Sequence, residues 1–224
     1  MQREIVITED GSTSLFVPEI DEYFHSHFGA IQESKHIFIQ SGFLYDRIQK
    51  KSNISILEIG FGTGLNCYLT YLQNLEIDKR IYYEGIEFYP LSSLEYNNLN
   101  YSKHLNSEST KDMFLKLHQS PWNQEINIDK KFKLFKRDES FEHISLKPNQ
   151  FDLVYFDSFS PDKQPEMWTH FLKIYDTMKP GAILVTYSTK GIVKRALKSS
   201  GFSIEKLAGP KGKREILRAF KPEE

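Results

Sequence analysis

"ISILEIGFGTGLN", Ile54 to Asn66, decides how the rest of the chain is read. Its first half is an aliphatic run of strand length, and its second half places glycine at 60, 62 and 64. A strand that ends in bare backbone and leads into a helix, "LNCYLTYLQNL" (65–75), marks the ligand-binding edge of an open α/β sheet. Glycines there permit positive φ and close approach to the main chain, and the helix start offers free N–H groups. A dinucleotide fingerprint would need its third glycine at Leu65, and a P-loop would need Gly-Lys-Ser/Thr where Thr63-Gly64-Leu65 stands. Both fail. What remains is acid-x-Gly-x-Gly-x-Gly, from Glu58 through Gly60, Gly62 and Gly64.

That spacing is the S-adenosylmethionine variant, in which no pyrophosphate has to be held. Glu58 is expected to face the cationic amino-acid end of the cofactor, and the glycines to make room for its nucleoside. Phe61, Thr63 and Asn66, within and after the glycines, join the expected contacts. Glu87 closes the next strand, where an acid accepts ribose hydroxyl hydrogens, and Asp138 closes the third, where a carboxylate would take the adenine amino group. Each acid alone is more often a solvated strand end. Three at successive strand ends mark one edge as a cofactor site.

Strand-like and helix-like stretches alternate from residue 54 onward. Strands are expected at 54–60, 80–88, 132–138, 151–157 and 182–188, with a long helical region from Pro90 to about His118 and a helix over 165–178. "FSIEKLA" (202–208) and "REILRAF" (214–220) flank the short basic loop "GPKGK" and should pair as an antiparallel hairpin. The expected fold is α/β: a class I, Rossmann-like sheet of seven strands with the last inserted antiparallel. Residues 54–224 form this domain in that reading, and residues 1–53 an N-terminal extension of a small sheet plus a helix.

The fourth strand runs into "DSFSPDKQPEMW", beginning at Asp157. Methyl transfer to nitrogen is an in-line displacement, so a site must align the amine and exclude water. A carboxylate can hold the amine and take its proton. Asp157 is the candidate catalytic group, also placed beside the cofactor, with Phe159 walling the substrate pocket; the bland alternative is an aspartate that caps a turn. His25 and His27 are too close and too isolated for a metal site, so no metal is expected.

Composition constrains the rest. In 224 residues, 39% hydrophobic and 26% charged, no segment approaches a bilayer-crossing run, and the N-terminus lacks the apolar core of a signal peptide. A lone Cys67 suits a reducing, cytoplasmic setting. The net charge of −1 conceals a basic end: Lys190 to Lys221 holds ten Lys/Arg against two Glu. Such a patch faces a polyanion or is merely a solvated face.

"EIGFGTGLN", "DSFSPDKQPEMW", "TYSTKGIVKRALKSSGF" and "GPKGKRE", with the entry segment "DEYFHSHFGAIQESKHIFI", resemble the methyltransferase domain of the bacterial bifunctional enzymes that make 5-methylaminomethyl-2-thiouridine in tRNA. The resemblance implies methylation of the 5-aminomethyl group of the wobble uridine, with S-adenosylmethionine as cofactor. It implies that Glu58, Gly60, Gly62, Gly64, Glu87 and Asp138 lie at cofactor positions and Asp157 at the catalytic carboxylate. Ser158 and Ser160 depart from the family's Asp-Gly-Phe-Ala-Pro, so the turn should hydrogen-bond differently. The family's FAD-dependent domain has no counterpart here, so FAD is not expected, and it stays open whether a separate FAD-dependent oxidoreductase in the same pathway supplies the amine. Lys190, Lys194, Arg195 and Lys198 on one helix and Lys211, Lys213 and Arg214 on the hairpin loop would meet phosphates of the anticodon region. Two other readings compete: a methyltransferase of another amine, separable by tRNA retention, and a non-catalytic nucleic-acid-binding module, which would not bind S-adenosylhomocysteine.

Overall fold

The computed structural model describes residues 2–105 and 110–223. An antiparallel sheet comes first: β1 (Glu4–Ile7), β2 (Thr13–Val17) and β3 (Glu22–Tyr23). Helix α1 (Ala30–Ser34) continues into wide π-type turns over Lys35–Phe43, and α2 (Asp46–Gln49) leads to the main sheet.

That sheet is built from β4 (Asn53–Ile59), β5 (Arg80–Ile86), β6 (Glu125–Asn127), β7 (Phe132–Arg137), β8 (Phe151–Phe156), β9 (Met178–Thr186), β10 (Ser203–Ala208) and β11 (Glu215–Phe220). The helices are α3 (Leu65–Ile77), α4 (Ser93–Asn97), α5 (Tyr101–His104), α6 (Lys111–Gln119), α7 (Phe171–Thr177) and α8 (Gly191–Ser199). Strand order is β10-β11-β9-β8-β4-β5-β7-β6. β9, β8, β4, β5 and β7 are mutually parallel, and β11 slots antiparallel between β9 and β10. The expected topology is therefore present with one strand more. The described residues form eight strands in this sheet, because the three-residue β6 pairs antiparallel along the β7 edge. So short an element carries no periodicity to read.

Two other expectations need correction. The region from Pro90 to His118 holds α4, α5 and α6 rather than a long helix; part of it, 106–109, lies outside the described residues. The stretch 165–178 splits into a 3₁₀ turn (Pro165–Thr169) and α7, and β9 begins at Met178, ahead of "KPG".

Alternation along the central strands creates two cores. Ile54 and Ile56 of β4 join Tyr83, Tyr155 and Val185 on the face covered by α3 and the π-type segment. Leu57 and Ile59 point the other way, into a core with Trp168, Phe171, Val193 and Leu197 from the 165–197 region. The N-terminal segment shares the first core: Leu15, Ala30, Ile37 and Phe38 are fully buried in it. Gly42 is set close to the sheet, where a Cβ would stand 3.0 Å from Val185 and 3.2 Å from Tyr155. This packing brings the residues just before α1 to the carboxyl edge of the sheet.

Candidate active site

A cavity of about 860 Å³ opens at the C-terminal ends of β4, β5, β7, β8 and β9. Gly60, Glu87, Glu139, Asp157 and Ser188 reach it, one from beyond each strand. Its outer wall comes from residues 22–28 and Glu33 of the N-terminal segment and from residues 212–215 of the β10–β11 loop.

The glycine turn has the geometry its composition requires. Gly60, Gly62 and Gly64 take φ of 88°, 49° and 69°, a region that penalises a Cβ. The room they leave is used by the protein itself. A Cβ at Gly60 would stand 2.5 Å from the carbonyl oxygen of Asp157, one at Gly62 3.2 Å from the Phe24 ring, and one at Gly64 2.9 Å from His118. Within the protein itself these glycines let the β8 turn, the N-terminal wall and α6 close on the loop. The N–H groups of Gly60 and Phe61 both donate to the carbonyl of Ile86, 3.0 Å each, tying the loop to the end of β5. Gly85 of β5 has Phe61 against it, where a Cβ would meet the ring at 2.6 Å.

Glu87 stands where the strand-end reasoning put it. Its carboxylate accepts from the N–H of Gly62 (2.9 Å) and of Tyr89 (2.9 Å), and it lines the cavity. Asp138 does not. It is exposed outside the cavity, its N–H donates to Asn123 (3.0 Å), and Glu139 and Ser140 take its place on the wall.

Glu58 is also relocated. It is fully buried under the cavity floor, accepting from Tyr83 Oη (2.7 Å) and Asn66 Nδ2 (2.9 Å). Its side chain alternates onto the α3 face of β4, which aims it at Asn66 rather than at the opening. Burial drives its carboxyl well above the usual range, against the lowering pull of those two hydrogen bonds.

Asn66 is the pivot. Its Nδ2 donates also to Asp157 Oδ2 (2.8 Å), so one amide bridges the buried and the cavity carboxyl groups. With Nδ2 fixed between two acceptors, Oδ1 lies buried without a hydrogen-bond partner among the described residues. An unpaired acceptor in a buried amide is costly unless a ligand supplies a donor. Asn66 lines the cavity, and its Oδ1 suits the ammonium end of an amino acid.

Asp157 is pushed up to about 7, chiefly by burial, partly offset by the Asn66 hydrogen bond; Glu33 raises it further and Lys213 lowers it. Its turn is fixed by two aromatic donors. Tyr187 Oη reaches the Ser158 carbonyl (2.8 Å), and Trp168 Nε1 the Phe159 carbonyl (2.8 Å). Ser160 Oγ donates to Glu22 (2.8 Å), an added hydrogen bond of the kind the serine departures suggested, whereas Ser158 Oγ is buried without a partner among the described residues. Phe159 meets Phe24 edge-on with ring centres 5.0 Å apart.

The basic residues divide. Lys190, Lys213 and Arg214 line the cavity, while Lys194, Arg195 and Lys211 lie outside it. Lys190 pairs with Asp162, Lys211 with Glu9 (2.7 Å) and Lys213 with Glu33 (3.4 Å). Among the described residues no ion pair engages Lys194, Arg195, Lys198 or Arg214. No group of three or more His, Cys, Asp or Glu there could hold a metal, and no helix is long and apolar enough to cross a membrane. His25 bonds Ser14 Oγ through Nδ1 (3.0 Å), lies 3.5 Å from Thr63 Oγ1, and is depressed to about 4 by burial.

Residues 105–222, just over half the chain, match the sequence profile of a family described as S-adenosyl-L-methionine-dependent methyltransferases. The chain belongs to that family. This methyltransferase is 32% identical over 215 residues to the tRNA 5-methylaminomethyl-2-thiouridine biosynthesis bifunctional protein MnmC of Leptospira interrogans, covering 89% of this chain and 32% of that protein. The protein of the same name in Nitrosospira multiformis is 28% identical over 218 residues, 93% of this chain and 35% of its own length. The methyltransferase thus spans about a third of the curated relatives it matches. In fold it is similar to the crystal structure of MNMC2 from Aquifex aeolicus, with a TM-score of 0.80 and 23% identity over 100% of this chain and 70% of that one. Spermidine synthase of Thermotoga maritima shares the fold at a TM-score of 0.53 and 12% identity, covering 100% and 72% of the two chains.

The methyltransferase's N-terminal wall was not legible as part of a site. Glu22, Phe24, His25 and Glu33 fall in the entry stretch that resembles the family, but nothing in that stretch assigned them a site role, and the packing of the N-terminal segment brings them to the cavity.

Proposed function

We propose that this methyltransferase converts the 5-aminomethyl group of a tRNA wobble uridine to 5-methylaminomethyl. The observation that carries the chemistry is Asp157: a cavity carboxylate locked by Asn66 and raised to about 7, near the pKa a general base needs at neutral pH. The tRNA assignment is supported by the names of the bifunctional relatives and by the exposed, unpaired cations of α8 and the hairpin loop.

The residues present fit S-adenosylmethionine. Asn66 Oδ1 would accept from its ammonium group, Glu87 would accept from ribose hydroxyls with the lone pairs that Gly62 and Tyr89 leave free, and the glycine turn would lie alongside. When bound, the cofactor supplies a methyl group activated on a sulfonium, which leaves as the thioether when the N–C bond forms. Asp157 receives one proton from the substrate ammonium, freeing the nitrogen lone pair. The product leaves as a secondary ammonium, and Asp157 returns its proton to water. Phe24 and Phe159 exclude water from the amine, and Asn66 keeps Oδ2 of Asp157 from rotating. Glu58 acts through Asn66 and touches neither partner.

Nucleoside mass spectrometry of tRNA from a strain lacking the gene tests the assignment. Accumulated 5-aminomethyl nucleoside, cleared by the wild-type gene and not by Asp157→Asn, is expected. An unchanged nucleoside profile would overturn it.

A further inference from the structure

Among the acids lining the cavity away from the glycine edge and the strand ends, Glu33 is the buried one. It is 8% exposed, yet its carboxylate lines the cavity. Oε2 accepts the Ser26 N–H (2.7 Å), and Oε1 lies 3.4 Å from Lys213 Nζ. Lys213 Nζ in turn sits 4.8 Å from the centre of the Tyr187 ring, whose hydroxyl holds the carbonyl of Ser158, next to Asp157. One run of contacts therefore joins the N-terminal wall, the hairpin loop and the turn that carries Asp157. Asp157, Glu33 and Lys213 meet at this end of the cavity, with Glu22 held by Ser160 of the same turn.

We propose that Glu33 is a specificity-determining residue of the amine subsite: with Asp157 it frames a pocket that takes a protonated primary amine and disfavours a neutral or acidic arm. The inference rests on the N-methylation reading of the site. A buried carboxylate already committed to one backbone donor and one lysine retains lone pairs for a third donor, and an ammonium offers three. An uncharged arm leaves those lone pairs desolvated and unmatched. The Glu33–Lys213 pair also sets the field on Asp157. The charged or titratable groups around Asp157 are Glu58 across Asn66, Glu33, Lys213 and Tyr187. Replacing Glu33 by a neutral side chain removes a negative charge and leaves Lys213 unpaired. Both changes favour the ionised form of Asp157.

The test compares wild type, Glu33→Gln and Glu33→Asp with two tRNA preparations, one bearing 5-aminomethyluridine and one in which that amine has been acetylated to a neutral amide. Competition binding at fixed salt gives the preference for the cationic arm, and single-turnover methylation across pH gives the apparent pKa of the base. Glu33→Gln is expected to cut the preference by about tenfold, to move the rate profile to lower pH and to leave S-adenosylhomocysteine affinity intact. Glu33→Asp is expected to restore part of the preference. If wild type methylates the amine while Glu33→Gln keeps both its preference and its pH profile, Glu33 only fastens the wall and the inference falls. If Glu33→Gln instead loses S-adenosylhomocysteine affinity and thermal stability together with its preference, and Glu33→Asp restores none of the preference, the role is structural and the inference falls. If wild type binds S-adenosylhomocysteine but never methylates the aminomethyl tRNA, the underlying reading falls with it.

Discussion

The glycine edge and the outer wall of the cavity are built on opposite principles. At the edge, a single continuous stretch, Glu58 to Asn66, supplies the turn, the pivot amide and a helix start, and Glu87, just past the neighbouring strand, joins it through its carboxylate, which accepts the Gly62 N–H at 2.9 Å. The wall is assembled from residues 22–28, Glu33 and residues 212–215, which meet through Lys213–Glu33 and the close approach of Gly212 to Phe28, while Lys211–Glu9 ties the same hairpin loop to the N-terminal segment outside the cavity. Local chain geometry dictates the first. Long-range packing and charge pairing dictate the second. On the proposed function, cofactor recognition falls to the local half and selection of the substrate to the assembled half.

Asp157 lies on the seam between them, bonded to the edge through Asn66 and within the field of Glu33 and Lys213 of the wall. Asp157→Asn keeps the shape and removes the proton acceptor. Turnover should fall by roughly 10² to 10⁴, with S-adenosylhomocysteine and tRNA affinity nearly unchanged. In wild type, single-turnover rates should climb as pH passes through about 7, following ionisation of this carboxyl. The variant should lose that dependence. Full activity in Asp157→Asn would reduce the residue to a turn cap.

Gly60→Ala tests the local half. A methyl at a φ of 88° would press on the Asp157 carbonyl from 2.5 Å, so the loop or the β8 turn has to shift. A displacement of this kind costs on the order of 100-fold in rate, and the strained backbone about 1–3 kcal/mol in stability. Single-turnover methylation and thermal denaturation measure both, and calorimetric titration with S-adenosylhomocysteine reads the accompanying loss of affinity. Unimpaired binding in a folded variant would show that the turn tolerates a side chain and that its glycines are incidental.

A stability measurement isolates the carboxyl without reference to activity. The folded-state pKa of Asp157 is raised, from 3.8 to about 7, so the folded protein binds more protons than the unfolded chain between those values. Its contribution is fully present below pH 3.8 and is lost as pH rises through 7. The melting temperature of wild type minus that of Asp157→Asn should therefore decrease from pH 5 to pH 8. Taking the difference cancels the buried His25 and His118, which burial pushes down and which act in the opposite direction. A flat difference would mean that water reaches Asp157 freely.

How much of this was legible follows the same division. The parallel strands showed themselves as apolar or alternating runs of strand length and the hairpin as two such runs around a short basic loop, from which the inserted antiparallel strand followed. Glu58, Gly60 and Asn66 were visible as types at a spacing, yet not their connections: period-two alternation turns Glu58 away from the opening, and no spacing rule shows that Asn66 bridges it to Asp157. Asp138 was misplaced by one residue. The strand ends at Arg137, and the wall is lined from Glu139 onward. Glu33 and Phe24 were invisible because their positions depend on how the N-terminal segment packs on the sheet.

The smallest expected effect separates the cations within one loop. Lys211 and Arg214 lie three residues apart on the hairpin, and of the two only Lys211 forms an ion pair, with Glu9 at 2.7 Å. Its partner is about half exposed, so the pair is worth less than about 1 kcal/mol and is screened by salt. A phosphate arriving at Lys211 must nevertheless displace Glu9 and leave that carboxylate nearby. Arg214 carries no such cost. Arg214→Gln should lower the slope of log affinity against log salt by roughly 0.7 to 0.9, the value of one phosphate contact on single- or double-stranded nucleic acid. Lys211→Gln should lower it by less, and Glu9→Gln should tighten binding by about threefold at low salt, within the range of an exposed ion pair. Filter binding of tRNA over a salt series measures all three. Equal slopes for the two loop variants, with no gain from Glu9→Gln, would mean that the wall's charge pairs do not compete with RNA. A wild-type slope in Arg214→Gln would leave the hairpin a solvated face and move the RNA contacts to the unpaired cations of α8.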